Sequence, residues 1–387
     1  MPPAVHRRPR IPSLAEKRYD GGMKHLPIVL LLLFGAGNAQ AQQFDLPLIG
    51  RTGLNIYSAM TYYEVEDGFF TDGISETRNR LVRIDLQRGT VAEHFEVHRF
   101  LGAVEERMLV STVDRDHILQ QLLIDPFSLA ANRAPKWEVS LDWALLLSPD
   151  GSLYSAGLSS SGTYTPFRFD AQGRRQAWLD VEGVPTSISS DNLHLLIQSP
   201  ETGEVFVWST DEESVRARLR SSDTTGQVRF LTNGVFLLPP QYAGQESWRL
   251  YDVEGQQVAE LRFRITGAEP LFFWFTSDLR RAVVCVRGAV NPETAVVKTE
   301  AFRRWLQREG HLFVATRGVL NDSRVRVRAY PTLSAQTLGH LDAGEQVEVL
   351  ERSGRRQRIG EMNAYWYRVR NEEGLAGWSY GHFIDLQ

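Results

Sequence analysis

Residues 321–383 read NDSRVRVRAYPTLSAQTLGHLDAGEQVEVLERSGRRQRIGEMNAYWYRVRNEEGLAGWSYGHF and contain the clearest strand and turn signals of the chain. Apolar and polar residues alternate over residues 324–328 and again over 346–352, which is the pattern of a half-buried strand. Residues 342–345 supply aspartate and glycine, which favour a tight turn. We predict five short strands that close into a small all-β barrel, because closure removes exposed sheet edges.

Four short motifs follow one another along this stretch. The first is Val327-Arg328 with Pro331, and the second is Gly339-His340-Leu341 with Gly344, Val347 and Val349. The third is Trp366-Tyr367-Arg368-Val369, and the fourth is Gly374 with Gly377-Trp378. In this order they resemble a bacterial SH3-type (SH3b) domain, which we place at residues 318–387. The resemblance implies a binding module that works outside the cytoplasm and often takes cell-wall ligands.

Five aromatic residues of this domain are candidates for a ligand-binding surface: Tyr330, Tyr365, Trp366, Trp378 and Tyr380. A barrel this small also needs large aromatic side chains for its core, so packing is the alternative role for each. Tyr330 and Tyr380 are the stronger candidates, because they fall in a loop and at a strand end, where binding residues concentrate. The basic run 355–358 is predicted to be a solvated loop, with contact to anionic polymers or lipid headgroups as the alternative.

Residues 45–298 hold many short apolar strands whose turns recur at near-regular spacing. One series of turns follows apolar strands at Asp85, Asp125, Asp170, Asp211, Asp252 and Pro292, at spacings of 40 to 45 residues. A second series comprises Asp72-Gly73, Asp114, Asp150-Gly151, Asp191-Asn192, Asn233-Gly234 and Asp278. Four strands in about 40 residues are typical of a propeller blade, which cannot bury both faces alone.

We therefore predict an all-β chain with a β-propeller of about six blades followed by the SH3-like barrel. The turns resemble those of WD-repeat-like propellers, although the Gly-His and Trp-Asp dipeptides of that family are absent. A pair of β-sandwiches is the alternative. Residues 299–317 are predicted to be a helix and linker, because Phe302, Trp305 and Leu306 have helical spacing and Gly310 follows as a stop signal. A strand is predicted at residues 311–315.

The beginning of the chain has the pattern of an export signal. Residues 1–22 are predicted to be a misplaced start or a dispensable extension, since a better start lies at Met23. Residues 23–41 combine a basic start, an apolar core and a final Ala-Gln-Ala, which predicts a secretory signal peptide cleaved before Gln42. The apolar core is too short to span a bilayer comfortably, so we expect an exported protein, periplasmic or extracellular, without a transmembrane anchor.

Candidate chemistry is sparse in the sequence. His94, Glu96 and His98 would share one face of a strand, which is a weak metal signal beside the alternative of a polar outer face. Cys285 is the single cysteine and is expected to be buried, and no catalytic, cofactor or metal motif is recognised. The net charge of −4 does not suggest a nucleic-acid partner.

These observations predict an exported, non-enzymatic binding or scaffold protein. The SH3-like domain would bind a peptide or peptidoglycan-type ligand, and the propeller would bind an envelope protein partner. One alternative is a hydrolase or lyase of envelope polymers with the propeller as its catalytic domain. Another is a mainly structural part of an envelope assembly.

Overall fold

The computed structural model describes residues 41–54, 63–75, 78–104, 107–113, 119–133, 146–149, 152–159, 162–169, 174–220, 228–240, 247–288 and 292–387. Within these ranges the chain is almost entirely β-structure, and no helix is long and apolar enough to cross a membrane. The predicted extension at 1–22 and nearly all of the predicted signal peptide at 23–41 lie outside the described residues.

Six sheets follow one another along the chain. Their strands are antiparallel neighbours in sequence, apart from two strands from the start of the chain that join the last two sheets. Strands β1 (Gln42–Asp45) and β2 (Leu48–Arg51) precede them. Blade one comprises β3 (Tyr63–Val65), β4 (Gly68–Ser75), β5 (Arg78–Asp85) and β6 (Val91–Glu96). Blade two comprises β7 (Arg99–Val104), β8 (Arg107–Val113), β9 (Leu119–Ile124) and β10 (Ala131–Arg133). Blade three comprises β11 (Leu146–Leu147), β12 (Leu153–Leu158), β13 (Tyr164–Phe169) and β14 (Arg175–Trp178).

The last three blades include the two strands from the start of the chain. Blade four comprises β15 (Val184–Ile188), β16 (His194–Gln198), β17 (Glu204–Ser209) and β18 (Ser214–Arg220). Blade five comprises β19 (Arg229–Phe230), β20 (Val235–Leu238), β21 (Ser247–Asp252) and β22 (Gln257–Arg264), with β1 parallel to β22. Blade six comprises β23 (Glu269–Phe275), β24 (Arg281–Arg287) and β25 (Glu293–Lys298), and β2 is its outer strand. The six-bladed propeller is confirmed, and the sandwich alternative is wrong.

Apolar clusters between neighbouring blades close the ring. Phe69 and Ile84 of blade one pack with Trp274 and Val283 of blade six. Cys285 lies in the same cluster and is fully buried, and burial raises the pKa of its thiol to about 12. The first and last blades therefore share one apolar core, which closes the six sheets into a ring.

The turn prediction holds at most of the described positions, in the first and last blades as well as in the middle ones. Asp85 follows the third strand of blade one, and its Oδ1 accepts the backbone N–H groups of Gln87 and Arg88. By contrast, Asp72-Gly73 lies inside β4, because pairing with β5 overrides the turn propensity of these residues. Pro292 also lies after an apolar strand, but it separates the second and third strands of blade six, whereas the other described turns of its series separate the third and fourth. The predicted turns at Asp114, Asp150-Gly151 and Asp170 lie outside the described residues.

The helix α1 (Glu300–Arg308) joins the propeller to the rest of the chain. Phe302, Trp305 and Leu306 are its buried residues, and they pack in the cluster that blades five and six share with Phe44. The Thr299 hydroxyl donates to the carbonyl of Leu279 instead of capping the helix. The strand predicted at 311–315 is wrong by several residues: the next strand begins at Thr316.

The C-terminal barrel has its own sheet and core. Its strands are β26 (Thr316–Leu320), β27 (Val325–Arg328), β28 (Thr337–Leu341), β29 (Gln346–Arg352), β30 (Gln357–Ile359), β31 (Met362–Ala364), β32 (Trp366–Asn371), β33 (Ala376–Tyr380) and β34 (Ile384–Leu386), with a 3₁₀ helix at Gly381–Phe383. Seven of them form one sheet, and β30 and β31 form a separate hairpin. Val327, Val349 and Val369 are fully buried at its centre. The barrel prediction is confirmed, but β26, β34 and the hairpin were not foreseen.

Candidate functional site

The loop between β29 and β30, residues 353–356, contacts one face of the propeller. Successive strands of a blade run in opposite directions, so the turns after the first and third strands open on the same face. In blades four and five these turns carry Asp191, Asp211 and Asn233. Gly354 and Arg355 of the loop meet these three residues. We call the five residues the latch.

Asp191 binds the loop backbone from inside the propeller. Its Oδ2 accepts the N–H of Gly354 at 2.7 Å, and its Oδ1 accepts the hydroxyl of Ser189 at 2.5 Å and the N–H of Leu193 at 3.1 Å. The side chain is fully buried, and burial raises the pKa of Asp191 to about 6 despite these hydrogen bonds. The contact therefore depends on a buried carboxyl group that titrates near neutrality.

Arg355 forms the charged half of the latch. One of its terminal nitrogens donates to both carboxylate oxygens of Asp211, at 3.0 and 2.8 Å, and to Glu212 at 3.2 Å. Both side chains of the Arg355–Asp211 pair are nearly buried, at 11% and 12% exposure. Burial alone would raise the pKa of Asp211, but the hydrogen bond from Ser209 and the charge of Arg355 outweigh burial and hold that pKa below its ordinary value.

The prediction of a solvated loop at 355–358 is therefore wrong for most of its length. Arg355 is buried in an ion pair, and Gln357 begins the hairpin strand β30. Arg356 and Arg358 are exposed. A run of basic residues looks solvated in sequence, because the acidic partner of Arg355 is more than a hundred residues away.

Close backbone contact completes the latch. The Asn233 side chain donates to the carbonyl of Arg352 at 3.0 Å and accepts the N–H of Asp191 at 2.9 Å. Gly354 lies against the Asn233 carbonyl so closely that a Cβ there would be 2.6 Å from the carbonyl carbon. Glycine is needed at this position for space, since Gly354 does not have a positive φ.

Asp191 should make the stability of the folded chain decrease as the pH rises. An exposed aspartate has a pKa of 3.8, and the folded chain raises that of Asp191 to about 6, so the folded state binds the proton more tightly than the unfolded state. The stability from this group is fully present below about pH 4 and is lost as the pH rises through 6, by about 1.4 kcal/mol per unit of pKa shift. Urea unfolding of wild type and Asp191→Asn across this window measures it. Parallel pH profiles for the two proteins would contradict the assignment.

Three of the five predicted ligand residues are buried in the barrel. Trp366, Trp378 and Tyr380 are between 2% and 4% exposed and form one cluster. The indole N–H of Trp366 donates to the side chain of Gln357 at 2.6 Å, and the hydroxyl of Tyr380 donates to the Gln357 carbonyl at 2.6 Å. These contacts fasten the β30–β31 hairpin over the aromatic cluster.

The other two predicted residues, Tyr330 and Tyr365, are half-buried and face the propeller side. The hydroxyl of Tyr330 donates to the carbonyl of Pro149 in blade three at 3.2 Å. The guanidinium groups of Arg352 and Arg356 lie 4.5 and 5.2 Å from the ring centre of Tyr365, within the range of cation–π contact. Tyr365 also lines a crevice of about 570 Å³ between the barrel and blades four and five.

The crevice walls come from both parts of the chain. The propeller contributes Phe230, Asp252 and Glu254, and the segment after α1 contributes His311 and Phe313. Burial lowers the pKa of His311, so its ring is neutral near pH 7. The space is therefore lined by aromatic rings and by charged side chains of both signs.

The histidine face that gives the weak metal signal in blade one is not formed. Strand β6 ends at Glu96, so His98 lies beyond it and does not continue the alternation of His94 and Glu96. Within the described ranges, no group of three or more His, Cys, Asp or Glu side chains is arranged to hold a metal ion.

Comparison with known proteins bears on the C-terminal barrel. Residues 323–385 match the family described as "Bacterial SH3 domain". The barrel is a bacterial SH3 domain. The match with the SH3 family covers 63 of the 387 residues, so it identifies this domain and not the whole chain. No curated protein matches the sequence. Among solved structures, the chain is similar to one titled "Structure of Dos1 propeller", with 11% identity over 62% of this chain and 68% of that chain and a TM-score of 0.37.

Sequence reasoning found the SH3 domain but missed the latch. Asp191, Asp211 and Asn233 were recognised as turn residues of the blades, and Gly354 and Arg355 as parts of a loop. No local pattern shows that these turns contact the SH3 domain. An SH3 domain joined to a propeller is suited to a binding or scaffold role.

Proposed function

We propose that this protein is an exported, non-enzymatic binding or scaffold protein. Its SH3 domain binds a peptide or peptidoglycan-type ligand, and its propeller binds a protein partner in the cell envelope. The observation that supports the ligand most strongly is the half-buried ring of Tyr365, which has the guanidinium groups of Arg352 and Arg356 at 4.5 and 5.2 Å from its centre. Aromatic rings flanked by cations suit a peptide-like chain with carboxylate groups.

The five aromatic residues have different parts in this proposal. Tyr330 and Tyr365 make the first contact with the ligand, because their side chains are the more accessible ones. Trp366, Trp378 and Tyr380 are buried and fix the β30–β31 hairpin, whose last residue, Ala364, is adjacent to Tyr365 in the chain. The buried aromatic residues therefore support the surface and do not contact the ligand themselves.

Export is supported by the position of the predicted cleavage site. Cleavage before Gln42 would leave strand β1 whole, because Gln42 is its first residue. The mature chain would then begin with the strand that pairs with blade five. Strands β1 and β2 complete the last two blades, so the propeller needs them after the signal peptide is cleaved. The predicted signal peptide ends just before β1.

Binding to purified sacculi tests the proposal. We expect the chain lacking residues 1–41 to co-sediment with sacculi, and Tyr365→Ala to weaken retention about tenfold, as loss of a good aromatic contact would. Phe127→Ala is the matched control, because Phe127 is 67% exposed on blade two and lies outside the crevice. Absence of retention both in wild type and in a variant whose SH3 domain is released from the propeller would exclude a wall ligand. Retention unchanged by both Tyr365→Ala and Tyr330→Ala would exclude the site.

A further inference from the structure

We infer that the SH3 domain is held on the propeller by a reversible latch, and that this docking restricts access to its ligand surface. The latch is Gly354 and Arg355 on one side and Asp191, Asp211 and Asn233 on the other. The restriction of ligand access rests on the proposed function, whereas the latch stands on its own contacts. The closed form has all of these contacts made.

The latch is polar, which makes it reversible. For the residues that the structure describes, the buried apolar clusters beside the contact draw their members either from blades four and five or from the SH3 domain. No cluster among these joins the two domains. Contacts of this polar kind resemble transient protein interfaces. The desolvation of Arg355 and Asp211 also offsets much of their attraction, so closure is favoured only modestly.

The segment after α1 provides the hinge. Phe302 and Trp305 keep α1 packed on the propeller, so the segment starts from a fixed point. Residues 310–315 follow, beginning with Gly310 at a φ of +76°. The N–H groups of His311 and Leu312 donate to the carbonyl of Leu306, whereas Phe313 packs in the core of the SH3 domain, so the bend lies between Leu312 and Phe313. The SH3 domain can therefore rotate away from the propeller face about this point while α1 remains in place.

Docking covers the approach to the ligand surface. Tyr330 contacts Pro149 of blade three, and Tyr365 lies in the crevice between the domains. Arg352, which covers the ring of Tyr365, also donates to the carbonyl of Gly310 at 2.8 Å. A ligand that runs along both tyrosines must displace blade three from Tyr330. The apparent affinity in the whole chain is then reduced in proportion to the open fraction.

A charge swap in the full chain lacking residues 1–41 tests the latch. Arg355→Asp places like charges against Asp211 and Glu212, so we expect small-angle X-ray scattering to show a larger radius of gyration. Asp211→Arg alone should do the same, and the double variant Arg355→Asp/Asp211→Arg should restore the compact form. Arg358→Asp is the matched control, since Arg358 is exposed and donates to the carbonyl of Gly360 within its own hairpin. Recovery in the double variant excludes misfolding as the cause.

Retention on sacculi, measured on the same variants, tests the restriction of access. Arg355→Asp should bind about fivefold more tightly or better, the lower range of coupling between two sites. The double variant and Arg358→Asp should bind like wild type. An unchanged radius of gyration in Arg355→Asp overturns the latch. If wild type is retained and Arg355→Asp has a larger radius of gyration without tighter retention, only the restriction of access is overturned. If neither wild type nor the expanded variant is retained, the wall-ligand function and the restriction of access are both overturned. The scattering result still tests the latch in that case.

Discussion

Replacing Gly354 by valine should drive the SH3 domain off the propeller while both domains stay folded. A Cβ at this position would lie 2.6 Å from the carbonyl carbon of Asn233 and closer still to its oxygen. The obstructing atoms are backbone, which cannot turn aside as a flexible side chain does. The loop must therefore withdraw, and it takes the Gly354 N–H away from the buried carboxylate of Asp191.

The size of this effect follows from two costs. Excess volume in a packed contact costs about 1–3 kcal/mol, and a buried acceptor that loses its donor costs about 1–3 kcal/mol more. The two costs together exceed the free energy by which a polar domain contact of this kind favours the closed form, so the open form should dominate. Small-angle scattering and hydrogen exchange of the amide groups at 353–366 measure the opening.

Gly360→Ala separates steric exclusion from local strain. Gly360 lies in the turn of the β30–β31 hairpin at a φ of +61°, and a Cβ there would meet nothing within 4 Å. Alanine at Gly360 carries the backbone penalty of the left-handed region and leaves the latch untouched. We expect this variant to remain closed. A closed form for Gly354→Val would mean that the loop and the Asn233 turn are not in contact in solution.

The parts of the fold that are local in sequence were the predictable ones. Alternation around Val327 and Val349 identified SH3 strands, and the aspartate turns at Asp85 and Asp252 identified blades. Ring closure could not be found in this way, because β2 pairs with strand β25 from the far end of the propeller. The turn spacing indicates the number of blades, but it does not show that blade six takes its fourth strand from the start of the chain.

The candidate site was predicted only in part, for a related reason. Tyr380 is at a strand end, where exposure is the usual expectation, yet the β30–β31 hairpin folds over it. The same hairpin begins in a loop that is polar enough to look solvated. Arg355 is buried only because Asp211 is brought to it by the propeller. Contacts between distant segments thus decide which of these side chains a ligand can reach.

Truncating Phe302 to alanine should cost about 3–5 kcal/mol of unfolding free energy, the range for loss of a buried aromatic ring. Phe302 is fully buried, and its ring centre lies 5.2 Å from those of Phe44 and Phe263 and 5.4 Å from that of Phe275. These partners belong to β1, blade five and blade six. One side chain therefore joins the first strand of the propeller to its last two blades.

Thermal and urea unfolding, followed by tryptophan fluorescence, measure the loss of stability. Arg304→Ala is the matched control on the exposed face of α1, and it should change the unfolding free energy by no more than about 0.5 kcal/mol. Phe302→Ala should also increase the opening of the SH3 domain, because α1 then no longer fixes the start of the hinge. A cost below about 1 kcal/mol would show that α1 is not part of the propeller core, and the fixed pivot that the latch requires would be lost with it.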